Sequence, residues 1–491
     1  MQVEVHVDTG VPRFCIVGLP NKSVREAEQR TRSAIVSSGE SWPQMRIVAN
    51  LAPGALRKEG THFDLAIALG ILAGRERVPT EPLRGWCAIG ELALDGMVRP
   101  VAGALAAALA CREDGRKGLI CPAPNAAEAA LVEGVEIVPV ETLGQCMAWL
   151  RGEWRPGPIE RLPDVDSDAR EDLSEVRGHP GAKRALEIAA AGGHNLLLCG
   201  PPGSGKTMIA RRLPGILPPM SQEESLEVTR ILSVAALLPP GSGLVRRRAF
   251  RSPHHNVSLA GLIGGGLGLP RPGEISLAHN GVLFLDELSL YRRDVLEALR
   301  GPLEDGVVTI ARSGGAVSFP CRFSLVAAMN PCPCGYLGDS RRPCTCSPRS
   351  LELYRARLSG PLLDRLDLHV TMGRVGRREL LSEATGERSE VVRGRVLAAR
   401  ARQASRYGSA ATTNASCSKA MLEEHLRLSA PARAVIEVAA DALALSGRGL
   451  DRVLRVARTV ADLGGDEATG EDHVAEALAL RSPDGSTEAA A

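Results

Sequence analysis

The sequence predicts a multidomain α/β protein, in which an α+β N-terminal domain precedes an α/β core and a helical C-terminal domain. The chain has 491 residues, more than one ordinary domain holds. A complete phosphate-binding loop at residues 200–207 stands between a strand pattern and a helix pattern. From about Glu379 to Arg481, apolar residues recur at intervals of three and four, as on amphipathic helices. Together these observations predict several domains rather than one large core.

The composition excludes several classes of protein. Apolar residues make up 44% and charged residues 24%, which is typical of a globular chain and not of a disordered one. The net charge of +2 favours no class of partner, so a nucleic-acid site requires a local basic patch. No apolar run of about 18 residues and no signal peptide is found. We therefore expect a cytoplasmic protein without a membrane partner, whose 12 Cys are reduced.

Strand-like and helix-like patterns alternate over residues 1–150. Residues 3–7 alternate Val with polar residues, as on a half-buried strand, and residues 102–111 form an Ala-rich helix pattern. The pair Asp95-Gly96 predicts the turn of a hairpin between residues 85–94 and 96–100. These patterns predict a mixed α+β domain.

The strongest motif is G-P-P-G-S-G-K-T at residues 200–207, between an apolar strand at residues 195–199 and a helix pattern that begins at Met208. Its glycines let backbone amides turn towards phosphate oxygens. Lys206 offers a charge to the β and γ phosphates, and Thr207 offers a hydroxyl to Mg²⁺. The motif predicts binding of ATP with Mg²⁺ by Gly200, Pro201, Pro202, Gly203, Ser204, Gly205, Lys206 and Thr207.

Two further strand patterns end in polar residues. The apolar run at residues 282–285 delivers Asp286 and Glu287, where Asp286 would hold the Mg²⁺ shell and Glu287 would activate the attacking water. A run at residues 324–329 ends in Asn330, which could bond the γ-phosphate or that water. In isolation, each pattern also fits an ordinary strand end or a turn.

Together these residues resemble an AAA+ ATPase, because the order G-P-P-G-S-G-K-T, L-F-L-D-E, A-M-N-P and L-L-D-R is that of the superfamily. More narrowly, the chain resembles the ComM/YifB family of magnesium-chelatase-like ATPases. The segments that carry this resemblance are residues 251–256 (R-S-P-H-H-N), 272–288, 330–335 (N-P-C-P-C-G) and 359–368. The resemblance covers nearly the whole chain and implies a homo-oligomeric, ATP-dependent ring, a hexamer, in which Asn330 is sensor 1.

The resemblance also implies roles for two arginines. Arg365 matches the arginine finger, which acts in trans on the nucleotide of a neighbouring subunit. The alternative for Arg365 is an ion pair with Asp364 or Asp367. Arg448 best fits sensor 2 of the lid, with Arg452 as the reserve choice.

The resemblance divides the chain into five segments. They are an S5-like (Lon-protease-like) domain at 1–150, a linker at 151–172, an AAA+ core at 173–378, a helical chelatase-type lid at 379–482 and a flexible tail at 483–491. Composition supports the linker, since residues 151–172 are rich in Pro and acidic residues.

The first domain resembles the Lon protease domain at residues 56–70 and 90–103. The nucleophilic Ser of that protease falls at His62, so peptidase activity is not expected. Members of the family usually carry another strand before residues 3–7. A docking or nucleic-acid-guiding module is the expected role.

Two inserted segments are candidates for the surface that contacts a polyanion. Residues 243–256 and the glycine-rich stretch to Gly268 resemble the helix-2 insert of this clade, and residues 307–319 predict a hairpin turning at residues 313–315. In ring ATPases of this clade both inserts point into the central pore, where basic residues face a polyanion. The residues expected there are Arg246, Arg247, Arg248, Arg251, His254, His255 and Arg312. The alternative is that these arginines bridge subunits or bind nucleotide phosphates.

Four cysteines form two C-x-C pairs within 15 residues. They are Cys332, Cys334, Cys344 and Cys346. Four thiolates can close a tetrahedral, structural Zn²⁺ site that pins the loop after Asn330. Reduced thiols in a tight loop and redox pairs are the alternatives.

The leading functional hypothesis is therefore an ATP-driven ring motor on DNA, for branch migration or unwinding during recombination or natural transformation, as the resemblance implies. The second hypothesis is a chelatase-type or protein-remodelling ATPase that acts on a partner protein. No D-x-S-x-S motif of a metal-chelatase partner is present in the chain.

Overall fold

The computed structural model describes residues 1–54, 56, 58–160, 163–165, 171–239, 242–266, 270–312, 315–339, 341–357, 360–376, 379, 386–443 and 445–481. The predicted tail at 483–491, residues 313–314 of the predicted hairpin turn and residues 380–385 at the start of the C-terminal helix pattern lie outside these residues. Within them, no helix is long and apolar enough to cross a membrane.

The N-terminal part mixes strands and helices. Its strands are β1 (Gln2–Asp8), β2 (Arg13–Val17), β3 (Arg46–Ala52), β4 (Trp86–Ala88), β5 (Glu91–Leu92), β6 (Val98–Arg99), β7 (Gly118–Pro122) and β8 (Glu136–Val140). Its helices are α1 (Lys22–Arg25), α2 (Ala27–Ser37), α3 (Asp64–Gly74), α4 (Ala104–Glu113), α5 (Ala123–Ala129) and α6 (Leu143–Leu150).

Six of these strands form two three-stranded sheets, of order β1-β3-β2 and β4-β7-β8, and β5 and β6 form a two-stranded sheet. Helix α3 lies so close to β1 that a Cβ atom at Gly70 would be 2.4 Å from a methyl carbon of Val5. The alternation of Val with polar residues in β1 therefore has a direct cause, because its apolar face covers α3.

The predicted hairpin is shorter than expected. Strands β5 and β6 pair antiparallel around Gly96, as predicted. Strand β4, however, pairs in parallel with β7 and belongs to a different sheet. The prediction over residues 85–94 joined two elements that pair with different partners.

The core and C-terminal parts contain the remaining elements. The strands are β9 (Leu196–Cys199), β10 (Phe250–Arg251), β11 (Gly264–Gly265), β12 (Arg271–Pro272), β13 (Val282–Leu285), β14 (Val307–Arg312), β15 (Gly315–Pro320), β16 (Ser324–Met329) and β17 (Leu368–Thr371). The core helices are α7 (Pro180–Gly192), α8 (Lys206–Ala210), α9 (Leu213–Ile216), α10 (Gln222–Val234), α11 (Leu259–Ile263), α12 (Glu274–Leu277), α13 (Arg293–Glu297), α14 (Arg300–Asp305), α15 (Pro348–Arg355) and α16 (Gly360–Leu363). The C-terminal helices are α17 (Ser389–Tyr407), α18 (Lys419–His425), α19 (Ala430–Ala442), α20 (Gly447–Gly464) and α21 (Glu471–Ala479).

A five-stranded parallel sheet of order β10-β13-β16-β9-β17 is the centre of the core. Its three central strands, β13, β16 and β9, are almost entirely buried, as expected for a parallel sheet covered by helices on both faces. The carboxyl ends of neighbouring parallel strands meet at one edge, where ligands bind in such folds. Three of the sequence motifs follow β9, β13 and β16 at that edge.

The C-terminal helices share an apolar core with this sheet. Val396 of α17 and Val456 of α20 are buried in the same cluster as Leu186 of α7 and Leu198 of β9. The predicted linker also contacts the core, because Val165 forms a parallel bridge with Val245. The segments that the sequence analysis separated at residues 172 and 378 therefore contact one another in the structure.

Candidate nucleotide-binding site

The predicted phosphate-binding loop turns tightly between β9 and α8. Gly205, immediately before α8, has a φ of +87°, a left-handed conformation that glycine adopts without strain. Gly200 lies against the backbone, since a Cβ atom there would be 2.4 Å from the carbonyl oxygen of Met372. Glycine is thus required at both positions by the geometry of the loop.

Lys206 is buried in the loop and bonded to neutral oxygens. Its Nζ donates to the carbonyls of Gly200 (2.7 Å) and Pro201 (3.0 Å), and to Oδ1 of Asn330 at 3.3 Å. Burial lowers the pKa of Lys206, while the nearby charge of Asp286 raises it in part. An ammonium held in this way is suited to an anionic ligand such as a phosphate.

The acidic strand end lies beside the same loop. The hydroxyl of Thr207 donates to Oδ2 of Asp286 at 2.8 Å, and the backbone N–H of Glu287 donates to its Oδ1 at 2.9 Å. A hydroxyl and a carboxylate are oxygen ligands, which Mg²⁺ prefers, so the donor set fits that ion. The structure therefore brings together Lys206, Thr207, Asp286 and Asn330, as the sequence predicted.

Glu287 has a partner that the sequence analysis placed elsewhere. Its backbone is left-handed, with a φ of +51°. Nδ1 of His255 lies 3.4 Å from its Oε2, and the Glu287 side chain is 51% exposed. His255 was expected to face a polyanion in a pore, but it contacts the candidate general base. Its place after β10, which neighbours β13, is the signal that could have revealed this contact.

Asn330 is connected to a buried tyrosine that sequence reasoning missed. The hydroxyl of Tyr354 donates to the backbone carbonyl of Asn330 at 2.9 Å, and the hydroxyl of Ser289 lies 2.9 Å from the same tyrosine oxygen. Burial raises the pKa of Tyr354, so its proton is retained for this bond. No local pattern marks Tyr354, because the contact spans 24 residues of sequence.

Arg365 is buried, with 6% of its surface exposed. Its guanidinium pairs with Glu304, and it donates to the carbonyl of Pro361 at 2.7 Å. The ion pair considered as an alternative thus exists, but with Glu304 rather than Asp364 or Asp367. The trans role of Arg365 stays a prediction.

The two candidate sensor 2 residues have different surroundings. Arg448 is exposed in the first turn of α20. Arg452 pairs with Asp367 at 2.6 Å, and Asp367 in turn lies 3.5 Å from Nδ1 of His194. Burial raises the pKa of Asp367, but His194 and Arg452 outweigh it and hold that pKa below its usual value. Arg452 therefore links α20 to Asp367, the residue that precedes strand β17 of the sheet.

Two of the arginines predicted to contact a polyanion form ion pairs within the chain. Arg248 pairs with Glu224 at 2.9 Å and donates to the carbonyl of Asn280 at 2.6 Å. Arg251 makes two bonds of 2.7 Å to Glu274. Each of these arginines therefore has a carboxylate partner in the same chain, and contact of either one with a polyanion stays a prediction.

The other predicted arginines also expose part of their side chains, and Arg246 has the same exposed fraction as Arg251. Arg246 pairs with Asp164 at 2.9 Å but keeps 38% of its side chain exposed. Arg247 is exposed and lines a cavity of about 100 Å³ with Arg211. Arg312 is exposed at the end of β14.

The hairpin of β14 and β15 is confirmed and packs against the described part of the glycine-rich insert, which we define as residues 257–266 and 270–272. A Cβ atom at Gly264 would lie 2.7 Å from Cδ1 of Ile310, and one at Gly265 would lie 3.4 Å from Nη2 of Arg312. Gly265 pairs with exposed Arg271 across β11 and β12. Two exposed guanidinium groups thus flank one glycine-rich edge, and sequence reasoning missed Arg271.

The four cysteines converge. Their Sγ atoms all lie within 4.8 Å of one another, with 3.3 Å between Cys332 and Cys334 and 3.7 Å between Cys332 and Cys344. A tetrahedral Zn²⁺ site with Zn–S bonds of about 2.3 Å has S–S edges of about 3.8 Å, so this geometry fits. Backbone N–H groups lower the pKa of Cys334 to about 5, which favours the thiolate that binds metal.

Comparison with known proteins gives consistent matches along the chain. Residues 3–125 match the family described as subunit ChlI of Mg-chelatase, residues 172–380 match magnesium chelatase, subunit ChlI, and residues 386–481 match the C-terminal region of that subunit. An uncharacterized protein of Mycobacterium tuberculosis is 45% identical over 98% of this chain and 95% of its own length.

Two further relatives are similar over almost their whole length. The uncharacterized protein YifB of Escherichia coli is 43% identical, over 98% of this chain and 94% of its own length. The competence protein ComM of Haemophilus influenzae is 42% identical, with the same coverage of 98% and 94%.

Proposed function

The chain belongs to the ComM/YifB family of magnesium-chelatase-like AAA+ ATPases, and from this we propose that it is a ring-shaped motor that hydrolyses ATP and moves along DNA. The observation that supports the chemistry is the meeting of Lys206, Thr207, Asp286 and Asn330 at the carboxyl edge of one sheet. We assign an S5-like fold to residues 1–150 and the role of a lid to residues 379–482.

In this proposal, each residue at the edge has one task. Lys206 binds the β and γ phosphates, exchanging its carbonyl partners for phosphate oxygens. Thr207 and Asp286 hold Mg²⁺, which neutralises charge on the phosphates when bound. Glu287 accepts a proton from the attacking water, and Asn330 orients that water or the γ-phosphate.

We propose that the active form is a hexamer in which Arg365 completes the site of a neighbouring subunit. Its cation would stabilise the charge that develops on the transferred phosphoryl group. In the single chain this guanidinium pairs with Glu304, which is a surface carboxylate with 57% exposure. Assembly would exchange that pair for the neighbour's nucleotide. Sensor 2 is assigned to exposed Arg448 rather than to Arg452, because Asp367 already pairs with Arg452.

We propose that Cys332, Cys334, Cys344 and Cys346 hold a structural Zn²⁺. The loop they form packs on the phosphate-binding loop, since a Cβ atom at Gly335 would lie 2.7 Å from the Pro202 side chain. The metal would thus stabilise one wall of the nucleotide site. Elemental analysis should find about one zinc per chain, and the double substitution of Cys344 and Cys346 by Ser should lose it. Metal-free protein with full activity would contradict the site.

The edge formed by the hairpin and the insert is our proposed DNA contact. Arg271 and Arg312 are exposed there beside glycines, whose lack of a side chain allows close approach of a phosphate backbone. Contacts of this kind recognise phosphate and not base sequence. We propose a cytoplasmic location, in which the 12 Cys would stay reduced or bind metal.

The test is the steady-state ATPase rate with no DNA, with single-stranded DNA and with branched DNA. A motor on DNA predicts a rate that rises with DNA, and most with the structure on which it works. The same rate in all three conditions would contradict the DNA role. Stimulation by a partner protein instead would support the alternative, a chelatase-type remodelling ATPase.

A further inference from the structure

The cavity of about 100 Å³ beside Arg247 is separate from the candidate nucleotide-binding site. It is lined by the end of helix α8, by residues between Pro214 and Pro219, and by the basic segment before strand β10. None of residues 200–207, 286, 287 and 330 is among the described residues that line it. Sites for drug-sized ligands enclose about 300–1,000 Å³, so this cavity suits a smaller group. It still exceeds by several times the volume of about 10–15 Å³ that one water molecule requires.

The described lining of the cavity is strongly basic. It includes one carboxylate, that of Glu171, and four arginines, which are Arg211, Arg246, Arg247 and Arg248. Glu171 pairs at 2.8 Å with buried Arg212, which is outside this lining set, and Arg246 pairs with Asp164 at 2.9 Å. The positive charge on the lining therefore exceeds the negative charge available to it, which favours an anionic ligand.

Arg211 is held at the cavity by an aromatic ring rather than by a carboxylate. Its guanidinium carbon lies 5.6 Å from the centroid of Phe250, whose ring stacks on Phe284. Within the described part of the chain, no carboxylate forms an ion pair with Arg211. Arg248, by contrast, pairs with Glu224 at 2.9 Å. Arg211 is therefore a fixed cation whose charge is available to a ligand.

Helix α17 brings two further arginines to the border of this cluster. Arg393 donates to the carbonyl of Gly215, a lining residue, at 3.4 Å. Burial and the positive charge of Arg248 lower the pKa of Arg400 to about 10, although Glu224 raises it in part. Cations held near one another repel, and an anion among them relieves that repulsion.

The wall of the cavity is fixed without a ligand. Arg248 donates to the carbonyls of Pro218 at 2.7 Å and Asn280 at 2.6 Å, so it joins the proline-rich segment to the residues before β13. Arg211 and Arg247 are exposed, and their guanidinium groups are accessible from solvent. Arg248 thus supports the wall, and the two exposed arginines are the groups that can contact a ligand.

We propose that this cavity is a second anion site, in which Arg211 and Arg247 bind a phosphate group. A planar guanidinium donates two parallel hydrogen bonds to phosphate oxygens, which suits two arginines at a small cavity. The phosphate belongs either to a small polyphosphate anion or to a DNA backbone, because both offer the same oxygens. Arg211 directly follows α8, whose first residue is Lys206, so the two anion sites lie at opposite ends of one helix. The inference goes beyond the proposed function and requires no ATP hydrolysis.

The first experiment measures the binding of inorganic pyrophosphate by calorimetry at low salt. Every chain carries Lys206→Ala, so that pyrophosphate does not bind at the phosphate-binding loop. The test variant adds Arg211→Ala and Arg247→Ala, and the control adds Arg433→Ala, which removes an exposed arginine of α19. The Lys206→Ala chain should bind pyrophosphate. The test variant should bind it about tenfold more weakly or worse, and the control should bind it within about twofold of the parent.

Three results would overturn the proposal. They are no binding of pyrophosphate by the Lys206→Ala chain, an unchanged affinity in the test variant, and an equal loss of affinity in the control, which would indicate attraction to positive charge in general. Thermal unfolding shows whether each variant keeps its fold. If the double alanine variant unfolds, Arg211→Lys with Arg247→Lys replaces it and should bind about threefold more weakly or worse, because lysine keeps the charge but lacks the planar fork. The parent's affinity in that lysine variant would likewise overturn the site.

A second titration identifies the source of the phosphate. The same substitutions, now with Lys206 intact, are compared for binding to duplex DNA of mixed sequence at several salt concentrations. If DNA supplies the phosphate, Arg211→Ala with Arg247→Ala should flatten the log–log salt dependence by about two units, one for each contact. Unchanged DNA affinity together with lost pyrophosphate binding would assign the site to a small polyphosphate anion. Neither titration involves ATP hydrolysis, so failure of the proposed motor and failure of this site are distinguishable.

Discussion

The cation at the carboxyl edge of the parallel sheet and the cations of the basic segment at residues 246–251 have different partners. At the sheet edge, Lys206 is buried among neutral oxygens, and burial lowers its pKa. In the basic segment, Arg248 and Arg251 each pair with a carboxylate of the same chain. A buried cation bonded only to neutral groups gains much from an anionic ligand, whereas a neutralised one gains little. We therefore assign ligand binding to Lys206 and structural support to Arg248 and Arg251.

The largest loss of activity should come from substitution of Lys206, the buried cation that has no carboxylate among its hydrogen-bond partners. Lys206→Ala should abolish ATP binding, because the β and γ phosphates lose their charged partner, and hydrolysis should disappear with it. Titration with a fluorescent ATP analogue measures the binding. The control is Lys22→Ala, which removes an exposed lysine of the N-terminal part. Retention of wild-type affinity by Lys206→Ala would contradict the placement of the phosphates.

Arg365 also pairs with a carboxylate of the same chain, Glu304, and only a second subunit could give it a role at a nucleotide. Arg365→Ala should leave ATP binding near normal and reduce kcat by about a thousandfold or more, as for other arginine fingers. Mixed with Glu287→Gln chains, it should regain part of the activity, since some interfaces would then combine an intact Glu287 with an intact Arg365. The hydrolysis rate at several mixing ratios tests this. Rings that mix but never regain activity would count against a finger in trans.

A moderate effect on stability should distinguish Arg248 from its exposed neighbour. Arg248→Ala leaves Glu224 and two or more backbone carbonyls without their charged donor, which should cost about 1–3 kcal/mol of unfolding free energy. Arg247→Ala should change that free energy by less than about 0.5 kcal/mol, as for exposed positions in general. Denaturant unfolding measures both. Equal stability of the two variants would mean that the pairing of Arg248 is not structural.

The smallest effect should come from the exposed edge of the insert. Arg312→Ala should flatten the log–log dependence of DNA affinity on salt by about one unit, and alike for unrelated sequences, if the guanidinium contacts one phosphate. Arg248→Ala should leave this slope unchanged, because Glu224 already neutralises that residue. DNA titrations at several salt concentrations provide the slopes. An unchanged slope in Arg312→Ala would remove this edge from the DNA path.

The residues at the ends of the strands could be predicted from the sequence, whereas the partners of long side chains could not. Asp286 and Asn330 follow apolar runs that the motif order predicted to be strands, and these strands, β13 and β16, lie beside each other and next to β9, so the two residues meet Lys206 at the sheet edge. Arg248 finds its carboxylate on α10, 24 residues away, and Tyr354 reaches Asn330 across the same interval. Such contacts depend on packing that no local pattern encodes.

In the N-terminal part, the pairing partners of short strands could not be predicted from the sequence either. The turn at Gly96 was predicted from Asp95-Gly96, but β4 left the hairpin because it pairs in parallel with β7. Short strands carry too little periodicity to reveal their partners. The described part of the linker was likewise unpredictable, since its contact with Val245 comes from tertiary packing.

The central claim is that the carboxyl edge of the sheet binds ATP and that Glu287 activates water there. The most direct measurement compares ATP binding and single-turnover hydrolysis in wild type and Glu287→Gln. The amide cannot accept the proton, so ATP should stay bound with near wild-type affinity while hydrolysis falls by about a hundredfold to ten-thousandfold. Hydrolysis at the wild-type rate by Glu287→Gln would contradict the assignment of the general base and the account built on it.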